Sequence, residues 1–295
     1  MKYSLSHMKV AIVIPMYQAE LSAEAAISLR HLQTYCADFP WIIVHPIGLH
    51  FQFDTSRFQK IALSPRHFKS VKTYNRLCLN PRFYQQFLDY DYILIYQLDT
   101  CAFKNELAYW CAQGYSYMGA PWLRMTLLAK LKRKILKIPK HQDLLRSQPL
   151  TYRWDGVGNG GLSLRHVRHC YETLTAKRVQ WQALLKLSWT HQRKKIPTLK
   201  LLWLYWQTKR KNRSIADKIR KCFSGGEDRY WTAYGPVFCA DFKMPTESVA
   251  NRFAMEWLYF EVQMKMGGGV LPFAGHGCLG SEAMAMWGKQ VEFLS

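Results

Sequence analysis

No run of the sequence reaches the roughly 18 apolar residues that a helix needs to cross a bilayer. Its eight cysteines contain no C-x-x-C pair. That argues against a zinc site and a disulfide framework, and leaves reduced thiols in a cytosolic protein as the simplest account. No signal peptide is evident, because Val10–Ile14 is too short for an apolar leader core and reads as a first strand. The glycine cluster at 156–161 is not followed by Gly-Lys-Ser/Thr and opens a strand rather than a helix, which excludes a P-loop and a dinucleotide fingerprint. Acids are scarce in one region only. From Trp122 to Lys221 there are 25 Lys and Arg against four acids, while the remainder is balanced, so one stretch carries the whole net charge of +21. What is left is a soluble or peripheral protein with 49% hydrophobic residues, enough for a large core.

Strand and helix patterns alternate at short spacing. Val10–Ile14, Trp41–His45, a weaker Lys60–Leu63 and the apolar 92–98 run are strands. Helices are expected from Ser22, as N-cap, to Tyr35, over Ser70–Leu79, over Pro81–Asp89 and over Asn105–Gly114. The order predicts an α/β sandwich with a mainly parallel sheet. Ile93, Leu94 and Ile95 suit a strand buried on both faces, so Asp99 marks its carboxyl end, where open α/β sheets bind ligands. Asp99 there either caps a turn or holds a divalent cation.

Trp154–Arg165 carries four glycines in six positions, which fits a backbone-lined sugar or phosphate pocket as well as a tight turn. Glu227 and Asp228, behind two glycines, suit a helix N-terminus. There a carboxylate either accepts a proton from an attacking hydroxyl or simply faces the helix dipole. His276 lies between glycines, free of local packing, as a loop histidine or a metal ligand. Two segments, 124–150 and 177–222, read as basic helical insertions. In the first, Met125, Leu128, Leu131, Ile135 and Ile138 share one helical face, with lysines and an arginine opposite. The second sets 14 Lys and Arg against Asp217 alone and interleaves them with Trp and Tyr. Both fit an anionic membrane surface, with single-stranded nucleic acid as the rival partner.

Five motifs in order, Tyr96-Gln-Leu-Asp-Thr100, Tyr117–Trp122, Gly158–Arg165, Glu227-Asp228 and Gly275-His276, resemble the GT-A glycosyltransferases. They look most like a GT-A-like family of bacterial cell-surface polysaccharide proteins. The sequence departs from that family where Gln97 stands at the first position of the usual Asp-x-Asp element, which weakens the expected metal binding. The resemblance implies one GT-A-like domain over 1–295, transferring sugar from a nucleotide-diphosphate donor. It implies that Asp99 and His276 hold Mn²⁺ or Mg²⁺. Pro15 and Tyr17 would flank the base and ribose, Lys72 would contact phosphate, and Gln97, Asn159, Gly160 and Gly161 would shape the donor pocket. Asp228 would be the general base of an inverting transfer with Glu227 orienting, or the reverse. Trp122, Trp154 and Trp231 would offer surfaces for sugar rings. The acceptor implied is a glycolipid or polysaccharide, met in lipopolysaccharide or polysaccharide biosynthesis at the cytoplasmic face of the inner membrane, with no nucleic acid expected. The rival readings are a nucleic-acid-binding protein and an inactive GT-A scaffold docked on the membrane.

Overall fold

The computed structural model describes residues 8–127, 152–177, 215–223, 225–288 and 290–294, with positions 131, 134, 182, 203 and 206. A six-stranded sheet forms its centre. The strands are β1 (Val10–Pro15), β2 (Trp41–Pro46), β3 (Phe58–Leu63), β4 (Tyr92–Tyr96), β6 (Tyr117–Gly119) and β9 (Leu162–His166), in the order β3-β2-β1-β4-β9-β6. The first four run parallel, and β9 runs antiparallel between β4 and β6. This is the mainly parallel α/β sheet flanked by helices that the element pattern predicts.

Strands β1, β2 and β4 show apolar runs rather than alternation because both faces of the sheet are covered there. Ala11, Val13, Ile93 and Ile95 enter one core with side chains of α2 (Val71–Cys78), α3 (Pro81–Gln85), α5 (Val167–Thr175) and α7 (Glu227–Phe238). Ile12, Ile14, Leu94 and Tyr96 enter the other with α1 (Ala23–Cys36) and α4 (Leu107–Ala112). Ser22 caps α1 as expected, its hydroxyl accepting from the Ala25 N–H at 3.1 Å. A smaller three-stranded sheet joins β5 (Cys101–Ala102) to β11 (Ala274–His276) and β10 (Ala254–Glu256).

Two local expectations are corrected. The central strand ends at Tyr96, not at residue 98: the Gln97 N–H still bonds in register to the Gly161 carbonyl at 2.9 Å, but the Gln97 carbonyl closes a turn by accepting from the Thr100 N–H at 3.0 Å. Asp99 therefore sits in the turn that follows. The helix expected from Arg124 begins later, because Pro121–Met125 is strand β7, paired antiparallel with β8 (Tyr152–Val157). Arg124 there lies 3.7 Å from the Asp155 carboxylate. Most of the two basic segments lies outside the described residues. Of the first, Leu127 and Leu131 are helical and 75% and 49% exposed. The second ends in α6 (Ile215–Cys222), where Asp217 pairs with Arg220 and Lys221 and Ile219 enters the core. Among the described residues no helix is long and apolar enough to cross a membrane.

Candidate active site

From β1 the chain steps outward to β2 and β3, then returns to lay β4 on the opposite side of β1. A crevice opens at the carboxyl ends of such a pair, because the connections leave in opposite directions. Here it is a cleft of about 840 Å³. Its walls are Pro15 at the end of β1 and Tyr17 just beyond it, Gln97 and Asp99 after β4, Gly160 and Gly161 before β9, Gly226–Asp228 at the start of α7, and His276 at the end of β11.

The glycine loop is built for close approach. Asn159 adopts the left-handed conformation at φ 77°, and its side-chain oxygen accepts from the N–H groups of Gly161 at 2.7 Å and Leu162 at 3.2 Å. The Tyr117 hydroxyl donates to the Asn159 carbonyl at 2.9 Å. A Cβ on Gly160 would come within 2.2 Å of Glu227 Oε1. One on Gly161 would meet His276 Nε2 at 2.3 Å and Gln97 Oε1 at 2.6 Å. The glycines therefore let backbone lie directly on three side chains of the cleft.

The adjacent carboxylates of α7 have different surroundings. Glu227 is buried, with Oε1 2.6 Å from Arg165 Nη2 and Oε2 accepting from Trp231 Nε1 at 2.5 Å. Arg165, also fully buried, donates to Ser163 Oγ at 3.0 Å and the Tyr84 hydroxyl at 2.9 Å. Burial raises the Glu227 carboxyl above its ordinary range, although Arg165 opposes that shift. Asp228 instead faces the cleft and accepts from the Arg229 N–H at 2.8 Å. Glu227 is thus the buried partner of Arg165, and Asp228 is the more exposed carboxylate of the pair.

His276 is not free of packing, as its sequence context implies, but ends β11 between two acids. Its Nδ1 is 3.2 Å from Glu256 Oε2 and its Nε2 is 3.6 Å from Asp99 Oδ1. Burial lowers its pKa, but the Glu256 and Asp99 carboxylates outweigh that and push it up to about 9. Nε2 is buried without a hydrogen-bond partner. Among the described residues no three His, Cys, Asp or Glu side chains form a closed metal cluster. The Asp99 carboxylate, the orphaned His276 nitrogen and the nearby Gln97 carbonyl still make a donor set of the right chemistry for Mn²⁺ or Mg²⁺. Such ions take few protein ligands when a phosphate and water complete the shell, so the residues fit an open site.

Tyr17 presents an aromatic face, 64% exposed, at the cleft wall. Three expected residues fall elsewhere. Lys72 is exposed outside the cleft, since the turn before α2 directs Lys69 into it instead. Asn159 supports the loop from beneath, its side chain spent on backbone N–H groups. Trp231 is fully buried against Glu227 and offers no ring to a ligand. Glu256 and Lys69 carry no local signal in the sequence. Arg165 does carry one, as a lone charge at the end of the apolar Leu162-Ser-Leu strand.

The fold defines an α/β protein with an open cleft at the strand carboxyl ends. Over residues 57–276 the sequence matches the family described as "Protein of unknown function (DUF5672)", and the chain belongs to that family. No curated protein matches the sequence. Among solved structures, the galactosyltransferase LgtC in complex with donor and acceptor sugar analogs aligns at TM-score 0.42 and 12% identity, over 97% of this chain and 98% of that one. Mouse xyloside xylosyltransferase 1, in its apo form, aligns at TM-score 0.42 and 12% identity, over 91% and 97%.

Proposed function

We propose that the chain is a glycosyltransferase that moves a sugar from a nucleoside-diphosphate donor to a glycan or glycolipid acceptor. The observation that carries this reading is the convergence of Asp99, His276, Gly160, Gly161 and Asp228 on one cleft at the carboxyl ends of β1 and β4. Tyr17 and Pro15 form the wall for base and ribose, and the glycine backbone admits a sugar at close range. The lining carries Glu20, Glu24, Asp99 and Asp228, besides the Arg165-paired Glu227, against Lys69 and His276, so a diphosphate requires a counter-cation there. A divalent ion held by Asp99 and His276 would act as a Lewis acid that neutralises the leaving diphosphate. Asp228 accepts the proton of the acceptor hydroxyl as its oxygen bonds to the anomeric carbon and the bond to the diphosphate breaks, which inverts that carbon. The net-acidic cleft is unsuited to a nucleic-acid backbone.

The basic stretch supports action at the cytoplasmic face of the inner membrane, where anionic headgroups or a phosphorylated glycolipid attract it. That setting fits lipopolysaccharide or polysaccharide assembly. The test is a thermal-shift screen of UDP, GDP, CDP and CMP, each with Mn²⁺ and with chelator. A ligand bound only by the folded state raises the midpoint. A shift with one nucleoside diphosphate that requires Mn²⁺ is the expected result. No shift with any of the four overturns the reading.

A further inference from the structure

His276 has two ring nitrogens in different situations. Nδ1 faces the Glu256 carboxylate at 3.2 Å, while Nε2 is buried without a partner and points toward Asp99 at 3.6 Å. Glu256 stands opposite His276 in the parallel β10–β11 register. Its own backbone is anchored: the Glu256 N–H donates to Gln263 Oε1 at 2.9 Å. Gln263 is fully buried and donates through Nε2 to the Pro121 carbonyl at 3.2 Å, and its carbonyl accepts from Asn251 Nδ2 at 2.9 Å. The carboxylate thus sits on a tethered strap.

We infer that Glu256 is a positioning residue: by accepting from Nδ1–H it fixes the ring orientation and tautomer of His276 and leaves Nε2 as the nitrogen offered to a divalent cation beside Asp99. A carboxylate behind a ligating imidazole orients the ring and raises its basicity, and losing such a partner lowers metal affinity about 10–100-fold. The inference rests on the metal-assisted reading above, and the two are separable by experiment. Mn²⁺ affinity is measured by calorimetry on the full chain and on E256A, E256Q, H276A and D99N, with circular dichroism to confirm folding. The imidazole ¹⁵N spectrum of His276 is recorded with Mg²⁺.

The expected result is that H276A and D99N lose Mn²⁺ binding and E256A weakens it about 10–100-fold. E256Q, whose amide oxygen still accepts from Nδ1–H without the charge, should fall between. With Mg²⁺ the wild-type ring should be protonated at Nδ1 only, and E256A should lose that single-tautomer signature. If E256A does not fold, the isosteric E256Q carries the test. Wild-type affinity in the folded Glu256 variants, with H276A and D99N impaired, overturns the role of Glu256 and leaves the metal reading standing. Wild-type affinity in H276A and D99N, or no Mn²⁺ binding by the wild type, removes both.

Discussion

Glu227 and Asp228 are neighbours in different surroundings, the one buried against Arg165 and the other at the cleft, and substitution should separate the roles proposed for them. Removing the Glu227 carboxylate leaves Arg165 charged and buried without its counter-ion. Glu227→Ala should therefore cost about 3–5 kcal/mol, read as a lower midpoint in urea unfolding. Asp228→Asn should leave that midpoint near wild type and lower turnover about 10²–10⁴-fold, the usual size of a general-base contribution. A stable but inactive Glu227 variant beside an active Asp228 variant would reverse the assignment. Gly161→Ala is a sharper probe of the cleft. Its methyl group would displace His276 and Gln97, the ends of side chains rather than backbone. The fold should survive with a loss of about 1–3 kcal/mol, while the Mn²⁺-dependent thermal shift disappears. Much of this was legible along the chain: Asp99, Gly160, Gly161, Asp228 and His276 were all singled out by their place in strand and loop patterns. Glu256 was not, since it lies 20 residues from its partner and no local pattern marks it.

At the junction of β9 and α5, His166 and His169 stack at 3.8 Å between ring centroids. His166 caps the helix, its Nδ1 accepting from the His169 N–H, and His169 Nδ1 meets Ser116 Oγ at 2.8 Å. Burial lowers both pKa values; His169 and Arg168 add to the effect at His166, which falls to about 4, while Glu172 and Asp241 oppose it at His169. A depressed histidine contributes stability that is complete above its unfolded value near 6.5 and is lost as pH falls toward the folded value. The melting temperature should thus decline between about pH 6.5 and 4. The double substitution His166→Asn and His169→Gln, which keeps a capping acceptor, should flatten that decline. An unchanged slope would mean the junction does not titrate in this window. The helix and strand spans expected up to Gly114 lie within a few residues of those observed. The exceptions are the end of the central strand, where the Gln97 carbonyl closes a turn with the Thr100 N–H, Arg124, drawn into the β7–β8 pair, and His276, read as a loop residue and found on β11.

For the molecule as a whole, charge is segregated: a neutral α/β body and a stretch that holds the entire excess. Replacing the basic residues at 193–195 and 209–213 with neutral ones should weaken sedimentation with anionic vesicles. It should leave binding to neutral vesicles unaffected. Equal binding to anionic vesicles by wild type and variant would dissociate the basic stretch from any membrane role.

Apolar periodicity determined the α/β class and the parallel strands by itself, because burial on both faces of a sheet writes a signal into consecutive residues. The same holds for the cleft's position, since an acid ending an apolar strand marks where the sheet meets solvent. Which side chains share the cleft was decided only by tertiary structure. Arg165 claims Glu227 across 62 positions and Glu256 meets His276 through the β10–β11 register, while Lys69 rather than Lys72 turns inward. Those partnerships depend on how separate strands align and which helix face turns toward the sheet, and a linear pattern records neither.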